Sequence, residues 1–83
     1  MKVIAGVTFV NEGKIKVLNR RWRKLNRPTD ILSFPLNDFT PGADGVIRLG
    51  DIVICKTQAQ IKGHSIEFLL KHGLLHLLGV HHQ

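Results

Sequence analysis

The chain has a single cysteine, no tyrosine, one tryptophan and only six acidic residues. Cys55 alone cannot close an internal disulfide, which excludes a stapled scaffold and points to a reducing cytosol. No apolar run is long enough to cross a bilayer: Ile66 to Val80, the longest, is broken by Glu67, Lys71, His72 and His76. Met1 to Val10 places Lys2 ahead of an apolar stretch, but it lacks a small-residue cleavage site. Its β-branched content favours a strand over an export signal. Repeats, low-complexity tracts and linkers are also missing. With 83 residues there is room for one core, so a single domain over 1–83 is expected. A chain of this length buries only about 60–65% of its unfolded surface and has a thin stability margin.

What the chain has in excess is positive charge. Twelve lysines and arginines give a net charge of +6 and a pI near 10.1, which attracts RNA, DNA or anionic membrane surfaces. The hydrophobic content of 43% is that of a globular domain.

Lys2 to Val10 reads as a strand that turns at Asn11 and Gly13. A helix is expected from Gly13 to about Lys24, with Ile15, Leu18, Trp22 and Leu25 at helical spacing and Pro28 as its stop. Ile31 to Leu36 is a short strand and Asn37 to Gly45 a loop. Val46 to Cys55 is a strand with a bulge at Gly50. Thr57 and Gln60 match a capping box, with Gly63 as the C-cap of that helix. Ser65 caps a last helix that runs to about Leu78 and ends on a left-handed Gly79. That helix is apolar nearly all round, which predicts burial. The expected class is α+β: a small mixed sheet of three to four strands against two to three helices.

Chemistry concentrates in the last helix. His72 and His76 are four apart, hence on one face, and Gly79 permits a reversal that brings His82 back to the same point. The spacing H-x-x-x-H-x-x-G-x-x-H is that of zincin metal ligands, so one zinc ion on His72, His76 and His82 is expected. His81 competes as the third ligand or a neighbouring base; the spacing favours His82. Peptidase zincins carry a glutamate directly after the first histidine, where this chain has Gly73. A cationic metal on a basic protein suits a phosphodiester better than a peptide.

Seven of the twelve basic residues lie between Lys14 and Arg27 with no acidic residue among them. Several of these side chains are expected to contact phosphate. Trp22 is expected to be a core anchor rather than a base-stacking platform. His64 reads as a surface or hinge residue, Asp30 and Thr29 as turn-orienting, Ser33 as a strand hydroxyl, Asp51 as a bulge carboxylate and Cys55 as a small buried hydrophobe.

Taken with Arg27-Pro28-Thr29-Asp30-Ile31-Leu32-Ser33-Phe34-Pro35 and Leu49-Gly50-Asp51-Ile52-Val53-Ile54, the histidine block resembles the YbeY family. Its members are rRNA maturation factors described as metal-dependent single-strand endoribonucleases. Asn19 and Trp22-Arg23 match the stretch before the Pro-Thr-Asp segment, and the resemblance runs from about Val7 to His82. It implies an α+β fold, zinc on His72, His76 and His82, a functional arginine at Arg23, and a role in ribosomal RNA processing and quality control. Ribosomal RNA or the ribosomal subunit is then the partner. Arg20, Arg21, Lys24 and Arg27 would hold the strand while Arg23 stabilises charge on the phosphorane.

Val80 and His81 depart from the family's usual tyrosine and aspartate. The chain also looks shortened at both ends, which is expected to leave Leu74 and Leu78 for a second copy or a protein partner to cover. The rival readings are a non-catalytic ribosome-biogenesis factor with a structural zinc and a peptidase-like hydrolase.

Overall fold

Polar punctuation sets most element boundaries. The protein, a computed structural model that describes residues 2–79, runs β1 (Lys2–Phe9), α1 (Glu12–Arg23), β2 (Ile31–Pro35), β3 (Val46–Ile54), α2 (Lys56–Lys62) and α3 (Ile66–Leu77). The Asn11 side chain opens α1 by accepting from the Lys14 N–H at 2.8 Å. Ser65 opens α3 in the same way, accepting from the Phe68 N–H at 3.0 Å. Left-handed Gly63 ends α2, and Gly79 after α3 is also left-handed. Among the described residues no helix is long and apolar enough to cross a membrane.

The three strands form one mixed sheet in the order β1-β3-β2, with β3 parallel to β1 and antiparallel to β2. The fold is therefore α+β, as expected. Alternation along the strands sorts the buried side chains of this one domain into two clusters, one on each face of the sheet. Leu49, Ile52 and Ile54 pack against Ala59 of α2 and Leu69 and Leu77 of α3. On the opposite face Leu32 and Val53 meet Ile15 and Leu18 of α1, with buried Cys55.

The bulge at Gly50 makes this sorting possible. Ile4 pairs with Arg48 and Gly6 with Asp51, so Ala5 faces both Leu49 and Gly50. The extra residue shifts the core-facing set from Ile47 and Leu49 to Ile52 and Ile54, and turns Asp51 toward the α1 side. Gly50 has φ +134°, and a Cβ there would collide with the Phe34 carbonyl oxygen and lie 2.9 Å from Pro35 Cα. Only glycine fits.

Three expectations are corrected. The capping box at Thr57 does not form. Helix α2 starts two residues earlier, with Cys55 at its N-cap and no side-chain cap bond. The Cys55 N–H is held by the Asp30 carbonyl, so β3 runs straight into the helix and Thr57 already lies in its first turn. Helix α3 is not buried all round: Leu69, Gly73 and Leu77 are, while Phe68, Leu74, Leu75 and Leu78 are exposed. It lies against one face of the sheet, touching β2 and β3, and nothing described covers its outer side. Trp22 is 60% exposed rather than a core anchor. It stands in the last turn of α1, past buried Ile15 and Asn19, where Phe34 is its ring neighbour.

Candidate functional site

Close packing at one glycine aims the histidines of α3. Gly73 is buried against the sheet, and a Cβ there would lie 3.0 Å from Ile52 Cδ1 and 3.1 Å from Ile31 Cδ1. Without a side chain at this position α3 approaches β2 and β3 closely. His72 and His76, one turn apart, stand with ring centroids 4.4 Å apart and planes tilted by 59°. The same glycine occupies the place of the peptidase glutamate. Its Cβ direction leads into isoleucine methyls, so a carboxylate there would enter the core rather than the substrate side.

Both rings line a groove of about 1050 Å³ that wraps the free edge of β2. Ile31, Leu32, Ser33 and Phe34 all line it, although neighbouring strand residues point to opposite faces. The groove thus joins the α3 side of the sheet to the α1 side. Trp22 and Arg23 enter it from the end of α1, Lys14 from its start, and Asp51 from the bulged part of β3. Arg23 is exposed, and Lys24, in the left-handed conformation, terminates the helix behind it.

The other basic residues expected to hold a strand, Arg20, Arg21, Lys24 and Arg27, are exposed on or just after α1 and lie outside the groove lining. Arg20, Arg21 and Arg23 sit in the last turn, where cations complement the helix dipole. Asn19, buried beneath them, donates from Nδ2 to the Arg27 carbonyl at 2.8 Å and ties the following loop to the helix.

Asp30 borders the groove and reaches further than its own turn, contrary to the sequence reading. Its carboxylate, only 8% exposed, contacts His64 Nδ1 at 2.8 Å and Lys62 Nζ at 3.4 Å, with the Thr29 hydroxyl at 3.3 Å. Burial alone would raise the Asp30 pKa. The hydrogen bond with His64 and the charge of Lys62 outweigh it, and the pKa lies below its ordinary value. His64 lies on the surface, as expected, and there it latches Asp30. From it rings follow along α3: His64 lies 5.1 Å from Phe68, Phe68 stacks on His72 at 6.1 Å, and His72 meets His76.

The His72–His76 pair is chemically suited to one divalent ion. Two imidazoles sharing a tetrahedral zinc would have centroids about 5 Å apart, close to the 4.4 Å seen here. Among the described residues no group of three His, Cys, Asp or Glu side chains stands together for a metal. The expected third ligand His82, like its competitor His81, lies outside the described residues. Ser33 and Asp51, read from the sequence as a strand hydroxyl and a bulge carboxylate, both line the groove. The bulge at Gly50 signals the turn of Asp51 toward the groove, and Pro35, which has no N–H to give a further strand, is the sequence signal that β2 stands at an edge.

The family profile described as Endoribonuclease YbeY matches residues 1–83. Proteins named Endoribonuclease YbeY are similar to the chain. The one from Shouchella clausii is 47% identical, over 92% of this chain and 58% of that protein. The one from Staphylococcus carnosus is 45% identical, over 92% and 57%. For Corynebacterium kroppenstedtii the figures are 40% identity, 92% and 45%. The chain thus spans about half the length of these curated relatives.

Proposed function

The chain belongs to the YbeY family, and from that premise we propose that it acts as a zinc-dependent single-strand endoribonuclease in ribosomal RNA maturation and quality control. The observation that carries the reading is the meeting of His72, His76 and Arg23 in one groove beside an exposed basic helix. His72 and His76, with His82, would hold the metal. Zinc bound there supplies Lewis-acid polarisation of a phosphoryl oxygen.

The remaining work falls to the chain itself. The Arg23 guanidinium pairs with the scissile phosphate and stabilises the negative charge that builds on it as the new bond forms. Arg20, Arg21, Lys24 and Arg27 draw the strand to the α1 side by neutralising neighbouring phosphates. The groove is open on the β2 edge, which admits a flexible single strand more readily than a rigid duplex. Ribosomal RNA in the cytoplasm is the substrate class that the family suggests.

The test is cleavage of single-stranded ribosomal RNA by the zinc-loaded chain. His76→Ala is expected to lose both zinc and cleavage. Loss of zinc with undiminished cleavage overturns the reading. The number of exposed cations outside the groove favours a second reading, a zinc-stabilised RNA-binding factor without catalysis; tight RNA binding with no cleavage by the metal-loaded chain would select it.

A further inference from the structure

Trp22 is a large aromatic side chain left in water at the edge of a groove. It is 60% exposed, although an indole ordinarily contributes most to folding when it is buried. The ring is nevertheless held. Phe34 meets it at 5.8 Å between centroids with the planes at 71°, and the Arg21 guanidinium carbon lies 5.7 Å from its centroid. A supported aromatic surface beside cations is the arrangement on which single-stranded nucleic acids stack their bases.

The charge around Trp22 decides between occupants. Arg20, Arg21, Arg23 and Lys24 flank it in sequence and are all exposed. An apolar protein surface docking on the indole would have to approach this cationic cluster. A nucleotide instead brings an apolar base for the ring and a phosphate for the guanidinium groups. Trp22 and Arg23 line the same groove as His72 and His76.

We propose that Trp22 is a stacking platform for an unpaired nucleobase, with Arg21 and Arg23 beside it for the adjoining phosphates. This site rests on the RNA reading above and deepens it. It grips a strand by its bases without reading their sequence, since every base has a face to stack. Paired bases stay in their own stack, so the platform selects single strands.

Composition makes the test direct, because Trp22 is the only tryptophan and the chain has no tyrosine. The full chain is titrated with oligouridylate or oligoadenylate RNA while indole emission is followed, and binding is measured in parallel by anisotropy of end-labelled RNA. RNA is expected to quench the emission, whereas inorganic polyphosphate of similar charge binds without quenching. Trp22→Leu should weaken RNA binding about ten- to one-hundred-fold and leave polyphosphate binding unchanged, while Trp22→Phe should stay within a few-fold of the parent. RNA that binds by anisotropy without moving the emission, and binds Trp22→Leu equally well, overturns the platform but leaves the RNA reading intact. A chain that binds no RNA at low salt overturns both.

Discussion

His64 Nδ1 lies 2.8 Å from Asp30 Oδ2, joining the turn between α2 and α3 to the residue that precedes β2. With Lys62 on the same carboxylate, this contact closes the α3 side of the sheet against the β2 edge. Asp30→Asn removes the charge that both partners address and is expected to cost about 1.5–3 kcal/mol. Urea denaturation at neutral pH measures it. The same carboxylate gives an acid limb. Because the folded-state pKa of Asp30 lies below its ordinary value of 3.8, its contribution is present above that value. It is lost as pH falls through the lower folded-state pKa. Thermal melts from neutral to acid pH should therefore show a loss of stability that Asp30→Asn does not share. Parallel acid limbs for the two chains would contradict the assignment.

Gly50→Ala places a Cβ against the Phe34 carbonyl at a left-handed backbone position. The expected cost is about 2 kcal/mol or more, read as a lower denaturation midpoint. If the alanine chain is as stable as the parent, the bulge is not the constraint described.

Gly73→Glu tests why the peptidase glutamate is missing. The side chain would be forced toward Ile52 and Ile31, with an expected loss of about 3 kcal/mol or more from overpacking and a buried charge. No peptide hydrolysis should be gained. A stable variant that cleaves peptides would show that the position faces substrate after all.

Metal removal should lower the melting temperature of the parent chain, since an ion that binds only the folded state stabilises it. Chelator should leave the melting temperature of His76→Ala unchanged. Metal analysis alongside calorimetry checks both halves of this expectation.

Neutralising Arg20, Arg21, Lys24 and Arg27 together should weaken RNA binding for all sequences alike. For a single strand, every phosphate that no longer meets a cation should flatten the salt dependence by about 0.7 in the log–log slope. Arg23→Lys, by contrast, keeps the charge but removes the planar fork. It should reduce cleavage more than binding, as single-turnover and anisotropy measurements would show.

Much of this architecture is local and so was legible in the order of residues. Asn11 and Ser65 accept from N–H groups three residues on, and Gly63 and Gly79 take left-handed conformations. His72 and His76 share a face because a helix turns every 3.6 residues. The surplus of cations on α1 needs no fold to be seen.

Periodicity states which side chains point the same way; it does not state what lies opposite them. Trp22 and the outer face of α3 followed the helical pattern and still met water, because each helix covers a single sheet face. That Asp30 reaches across to His64 is a contact over 34 positions, beyond any local rule. That Arg23 shares a groove with His72 and His76 follows from β2 standing at the edge of the sheet. The residue types and their spacing were set by the sequence. Their meeting depends on strand order, which long-range pairing decides.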